Sequence, residues 1–241
     1  MMATGNFFTF DGVPSTDFRV GISGKGTFTG ALRRVDTVKV PGRNGDLTFD
    51  NGAYDNVDHI YKAYIAHTFR DDFGYFRAFM MAHANSYYRL EDTYHPEEFY
   101  LARFAGRLEP ETMVRNRAGT FDIEFNRKPQ RFLKSGEDTL TYTQTYGNTL
   151  YNPTLFDALP LIRVYGTGAI TINGITITVT AADGYTDIDC DTQNAFKGAV
   201  NCNENIVRAS GEFFKLSPGQ NNIGFVNTIT SLQITPRWYT I

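Results

Sequence analysis

Between Thr120 and Asn126 the chain alternates strictly. Phe121, Ile123 and Phe125 are separated by Asp122, Glu124 and Asn126. A period of two puts one set on a buried face and the other in water, which predicts a half-buried strand. Strands are also predicted at Phe7–Phe10, over the alternating Phe18, Val20 and Ile22, at Arg33–Val40, Leu47–Asp50 and Glu98–Ala105, and the mixed stretch Val57–Ala66 reads as extended from its Ile, Tyr and Val content. An Asp11-Gly12 turn follows the first of them.

One segment has a helical period. Phe69, Phe73, Phe76, Met80 and Ala84 fall at i, i+4, i+7, i+11 and i+15, which makes a single apolar stripe. Thr68 is the expected N-cap, with Asp71 and Asp72 in the first turn where the helix dipole favours negative charge. Asn85 is the expected end.

After Asn152 the pattern is nearly all strand and turn. Leu161–Tyr165 is apolar, and Ala169–Thr180 alternates isoleucine with threonine around Asn173-Gly174. An Asn-Gly pair suits a type I′ hairpin turn. Further strands are expected at Thr186–Cys190, Ile223–Val226 and Ser231–Trp238. Several short strands with regular turns predict a β-sandwich.

Charge divides the chain at about the same place. Residues 1–134 hold 18 Lys+Arg and 17 Asp+Glu, whereas residues 135–241 hold 5 and 9. The polar, threonine-rich Ser135–Asn152 between them reads as a linker. The expected organisation is therefore an α+β domain with one main helix over 1–134, then a linker and a β-sandwich over 135–241, mainly β as a whole. A net charge of −3 gives no basic excess for nucleic-acid binding. The amino terminus has no basic, apolar leader pattern, and no apolar run is long enough to span a bilayer. Cys190 and Cys202 are expected as free thiols.

Searching for chemistry is mostly unrewarding. Gly24-Lys25-Gly26-Thr27 lacks the spacing of a phosphate loop. Asp187, Asp189 and Asp191 begin like a calcium loop, but Thr192 and Gly198 occupy its required Gly and Glu positions. On a strand the three aspartates would share one face, so a solvated acidic face is expected. His59, His67, His83 and His95 lack metal-site spacing and read as surface or half-buried residues. Glu97-Glu98 would point to opposite faces of a strand. No nucleophile motif appears. Catalytic, cofactor and metal residues are therefore expected to be none, and the protein is expected not to be an enzyme.

Val40–Asn56, VPGRNGDLTFDNGAYDN, is the unusual stretch. No helix pattern follows that could lend its dipole to a phosphate, and the aspartate spacing is irregular for calcium. A hairpin remains, with Arg33–Val40 running out, Pro41–Asp46 turning and Leu47–Asp50 returning. Arg33, Arg34, Asp36 and Lys39 interrupt its apolar pattern. A two-stranded arm is marginal in water unless something packs on it, and another subunit is one such partner.

The blocks Val40–Leu47, then Asp50, Gly52, Tyr54 and Asn56, then Tyr87–Phe99, Phe121–Gly136, Asn152–Gly168 and Leu216–Ile223 resemble, in order, the distal tail protein (Dit) family of long-tailed bacteriophages. Arg127 departs from the family pattern, in which cysteine commonly precedes Lys-Pro-Gln. The resemblance implies a hexameric ring at the tail tip, in the virion, after synthesis in the bacterial host cytoplasm. It implies a ring-forming first domain around a channel through which DNA only passes, and a galectin-like second domain. Implied partners are further copies of the chain, the tail tube protein, a tail-associated hub protein and receptor-binding or baseplate proteins, with no membrane insertion. By analogy Pro41, Gly42, Arg43, Asn44, Gly45 and Asp46 would lie at the contact between copies. Only 89 residues follow Asn152, enough for a bare sandwich, so no inserted adhesion module is expected. The rival reading is a carbohydrate-binding sandwich, with Tyr165 and Tyr185 as candidate platforms and Trp238 expected in the core.

Overall fold

A computed structural model describes residues 5–24, 29–113, 117–226 and 228–241. The rejected phosphate-loop stretch from Lys25 onwards lies outside them. The chain divides into two compact units, Met1–Arg131 with Ile241, and Phe132–Thr240.

The first unit contains β1 (Phe8–Phe10), β2 (Val13–Pro14), β3 (Gly21–Ser23), β4 (Arg33–Val38), β5 (Leu47–Tyr54), β6 (Val57–Ile65), helix α1 (Phe69–Ala82), β7 (Tyr88–Asp92), β8 (Glu98–Phe104), β9 (Glu111–Met113) and β10 (Ala118–Leu133). The main sheet runs β2-β1-β7-β8-β10-β6-β3, and β4 and β5 form a sheet of their own. β6 and β10 pair antiparallel with Phe125 opposite His59, Ile123 opposite Tyr61 and Phe121 opposite Ala63. These residues are all buried, while Lys62 and Asp122 on the other face are exposed and joined by an ion pair.

The helix lays Phe69, Phe76 and Met80 on this core. The Phe76 ring meets Phe121 at 5.6 Å and Phe8 at 6.4 Å. Its approach is close. A Cβ at Gly119 would stand 2.5 Å from the Phe69 ring, so β10 needs glycine there.

Three local expectations fail in this unit. Thr68 occupies the N-cap position, but at φ 56° its side chain caps no backbone amide. Its hydroxyl bonds Asp72 and accepts from Arg19 instead. The helix ends at His83, whose Nδ1 meets the Phe79 carbonyl oxygen at 2.7 Å, two residues before Asn85. Phe18, Val20 and Ile22 are not one strand. Ser15–Phe18 is a 3₁₀ turn closed by Arg19 at φ 56°, and only then does β3 begin.

The second unit contains β11 (Leu140–Tyr142), β12 (Asn148–Asn152), β13 (Leu161–Gly166), β14 (Gly168–Ile172), β15 (Ile175–Val179), β16 (Tyr185–Asp189), β17 (Asn194–Lys197), β18 (Val200–Asn201), β19 (Ile206–Arg208), β20 (Gly219–Phe225), β21 (Ile229–Thr235) and β22 (Tyr239–Thr240). One sheet is β11-β21-β13-β16-β17-β18 and the other β12-β20-β14-β15-β19. Inward residues of both, among them Ile162, Val164, Leu232 and Ile234 from the first and Ile170, Ile177, Ile223 and Phe225 from the second, share one core with Trp238. This is a sandwich. Asn173 and Gly174 turn the β14–β15 hairpin with φ of 50° and 86°, both positive as a type I′ turn requires.

Ser135–Asn152 is not a linker. It holds β11, paired to β21, and β12, paired to β20, one strand in each sheet. Thr149 and Tyr151 lie on the wet face of β12, Leu150 turns into the core, and the buried Asn152 donates to the Phe156 and Leu216 carbonyls.

Candidate assembly surface

The β4–β5 arm is built almost without a core. Thr37 faces Thr48, Asp36 faces Phe49 and Val38 faces Leu47, with a bulge between Arg33 and Val35. At the tip the Arg43 amide donates to the Val40 carbonyl at 3.2 Å, and Gly42 has φ 80°. With Pro41 before it, that is a type II turn. Gly45 also has φ 80°. Pro41, Gly42, Arg43, Asn44, Gly45 and Asp46 are all exposed. Among the described residues neither Arg43 nor Asp46 has an ion-pair partner.

Four of the arm's other charges pair internally, while Asp36 and Lys39 stay exposed. Arg33 forks onto Asp50, with Nε at 2.9 Å and Nη2 at 2.5 Å, and lies over the Tyr54 ring. The Gly52 amide donates to the same carboxylate at 2.9 Å. These hydrogen bonds, Arg33 first, hold the Asp50 carboxyl below the usual carboxylate range. Arg34 pairs with Asp55. Apolar side chains are exposed beside them, with Asp36 opposite Phe49 on the same face. Leu32, Val35, Val38, Val40 and Phe49 are exposed, Phe49 by 53%. Val38, Leu47 and Phe49 share one face, because opposite partners in a ladder do and residues two apart do. The arm is therefore less polar than its sequence implied.

The base of the arm is fastened to the main sheet. The Asp55 amide donates to the Leu32 carbonyl at 2.9 Å, closing the ribbon. Asn56 donates to Tyr87 Oη at 2.6 Å and Asn126 Oδ1 at 2.8 Å, and Asn126 donates to Asp58 at 2.7 Å. Next along β10 the buried Arg127 donates to the Thr29 carbonyl at 2.7 Å. Its guanidinium lies over the Tyr100 ring at 4.4 Å.

Arg127 belongs to a buried polar cluster. Tyr61 Oη donates to Asp92 at 2.5 Å, and the Tyr94 and His95 amides donate to the other carboxylate oxygen. His59 and His95 are fully buried here, beyond the surface or half-buried placement expected of them. Burial, then the Arg127 charge, pushes the His59 imidazole down to about 4, so it is neutral at neutral pH. Burial and the neighbouring Asp92 push the Tyr61 phenol up. Such a cluster fixes geometry, and His95 Nδ1 also meets Asp92 Oδ1 at 3.2 Å. Among the described residues no group of His, Cys, Asp and Glu is arranged to hold a metal ion.

The expected acidic face of the second unit is also not solvated. Asp187 and Asp189 are buried. Arg163 forks onto Asp187 at 2.7 and 2.9 Å, and Arg237 onto Asp189 at 2.7 and 3.1 Å. Asp189 also accepts from the Asp191 and Thr192 amides, turning the chain out of β16 and leaving Asp191 exposed. Burial raises the Asp189 carboxyl, but Arg237 and these amides outweigh it and hold it below the usual range. Tyr165 and Tyr185 lie 6.1 Å apart, with Arg163 and Lys197 over the Tyr185 ring. The Tyr185 ring is therefore already covered by these two cations.

No family model and no curated protein matches the sequence. Solved structures do match. The Dit protein of phage SPP1, described as a paradigm of the hub adsorption apparatus in phages infecting Gram-positive bacteria, superposes with a TM-score of 0.76 at 11% identity, over 98% of this chain and 99% of its own. The chain has the Dit fold. A chain of the phage P2 baseplate, in its activated conformation with calcium, matches with a TM-score of 0.55 at 10% identity, over 98% of each chain. The strontium form of that baseplate gives 0.52 at 10% identity.

The Dit fold spans both units, so the likeness does not rest on the common sandwich alone. Of the blocks that carried the resemblance, Val40–Leu47 forms the arm tip and Phe121–Gly136 runs along β10. Sequence reasoning located the tip but missed Val38 and Phe49 as a face. The available signal was Phe49 two residues after Leu47, diluted by the charges around it.

Proposed function

We propose that the protein is a structural, non-catalytic subunit of a phage tail tip. It closes into a ring, a hexamer in the simplest case, through its first unit, and each arm lies against the neighbouring copy. The ring joins the tail tube on one side to a tail-associated hub protein on the other, and receptor-binding or baseplate proteins attach to it. DNA passes through the channel. The galectin-like second domain is the outward part of each subunit.

One observation carries this reading on top of the fold. A ribbon with exposed Val38, Phe49 and Leu32 has no core of its own, yet its base is held by Asn56, Asn126 and Arg127. A mounted ribbon that leaves such apolar side chains in water, with exposed charges beside them, is built to be covered. A ring needs two different complementary faces on each copy, and the arm supplies one. Each arm side chain buried at such a contact contributes about 1.5–3 kcal/mol.

Mass in solution tests it. Native mass spectrometry across a concentration series should show a closed oligomer, and Phe49→Asp should shift it to monomer with unchanged thermal unfolding. A protein monomeric at every concentration and missing from purified virions would overturn the proposal.

A further inference from the structure

In the β12-β20-β14-β15-β19 sheet the charge is confined to Arg208 on the edge strand β19, and the outer face of the first four strands is uncharged. These strands, of 5, 7, 5 and 5 residues, contain no Asp, Glu, Lys or Arg, in a chain that is 20% charged. The other sheet carries Arg163, Asp187 and Lys197. On the uncharged face the outward positions are Thr149 and Tyr151, then Gln220, Asn222 and Gly224, then Ala169 and Thr171, then Thr176 and Thr178. The registers place Thr149 opposite Asn222, Gly224 opposite Thr171, and Thr171 opposite Thr176.

A depression of about 490 Å³ opens on this face, with Tyr146, Thr171, Asn173, Asn222 and Gly224 in its lining. Gly224 makes the trough, since only the Thr145 carbonyl would lie near a Cβ there, at 3.6 Å. Tyr146 stands beside it, 77% exposed, and Tyr151 is 69% exposed on the same sheet. No ring or cation among the described residues covers Tyr146. The Asn222 side-chain amide makes no hydrogen bond among the described residues, whereas Asn173 is already engaged with Asn221 and the Asn222 amide.

We propose that this trough binds a neutral glycan, with a sugar ring lying on Tyr146 and hydroxyls meeting Asn222 and the threonine row. The chemistry selects the class. A lining without ionisable groups other than tyrosine gives an anionic polymer or a charged peptide nothing to pair with. A purely apolar ligand would leave the Asn222 amide unsatisfied. A protein partner would be expected to meet a polar rim with charges and arginine, which this face lacks. The Thr171 and Thr176 hydroxyls bond each other at 3.0 Å, but an exposed aromatic body beside the uncommitted Asn222 amide suits a ligand with C–H faces and many hydroxyls.

The test uses the full-length protein on an array of neutral glucose-, galactose- and N-acetylglucosamine-containing oligosaccharides, with poly(glycerol phosphate) as the anionic comparison, followed by calorimetry on any hit. Binding to a neutral chain is expected. Tyr146→Ala and Gly224→Gln, which fills the trough, should each weaken it about tenfold or more. Tyr75→Ala, an exposed tyrosine of the first unit, should not. Circular dichroism checks that the variants fold. Absence of any neutral ligand, preference for the anionic polymer, or binding indifferent to Tyr146 and Gly224 would overturn the proposal. The readout is independent of ring formation, so either reading can fail alone.

Discussion

Arg127 donates to the carbonyl of Thr29 from a strand nearly a hundred residues later in the chain, and it does so from a buried position over the Tyr100 ring. One side chain therefore ties the segment entering the arm to the middle of the main sheet. Arg127→Ala should cost about 2–4 kcal/mol in chemical denaturation, through the lost packing and the orphaned Thr29 carbonyl. Arg127→Lys should not restore it, because an ammonium lacks the planar fork that spans both contacts. Hydrogen exchange should show the arm base opening first in both variants.

The arm separates folding from assembly. Val38→Ser and Phe49→Ser remove exposed apolar surface and should leave the unfolding midpoint within about 0.5 kcal/mol of wild type. Sedimentation should show weaker self-association for both, and more so for the double variant. A large loss of stability in the monomer would show that these side chains serve the core.

His59 gives the first unit an acid-sensitive element. The imidazole is held down to about 4 when folded, against roughly 6.5 in an unfolded chain. Between those values the unfolded state binds more protons, so stability is fully present above about pH 6.5 and is lost as pH falls towards 4. The loss is at most about 3 kcal/mol. His59→Gln should flatten the pH dependence of stability across that window, as measured by denaturant titration at several pH values.

Asp189 predicts the behaviour of the second unit. Removing its fork in Arg237→Ala leaves a buried carboxylate without its cation and should cost about 3 kcal/mol. The folded carboxyl is held below its ordinary value, so the wild-type contribution is present above about pH 4 and fades below it. The variant should therefore show a shallower acid limb in thermal scans.

The thiols should be inert in the native protein. Cys190 and Cys202 are free and buried, and burial pushes the Cys190 thiol up to about 12. Alkylation at pH 8 should wait for unfolding, so mass shifts on incubation with iodoacetamide should follow the denaturation curve.

Periodicity made β6, β10, α1 and the Asn173-Gly174 hairpin legible, because each buries one face against a large core. It failed where a polar side chain is buried with a distant partner. Nothing near Asp187 or Asp189 in sequence announces Arg163 or Arg237, and nothing near Asp92 announces Tyr61. It failed at Phe18 because a 3₁₀ turn can mimic alternation over three positions. For the arm, the turn chemistry of Pro41-Gly42 was readable, whereas its apolar face depended on which residues pair across the ribbon.

The paired strands β11 and β12 have a practical consequence for anyone wishing to express the sandwich alone. A fragment begun at Pro153, where composition invites the cut, would strip an edge from each sheet and uncover β20 and β21 along their backbones. Unpaired edges of that length recruit other chains, so the truncated product should precipitate. A fragment begun at Phe132 keeps both edges closed and is the one to clone.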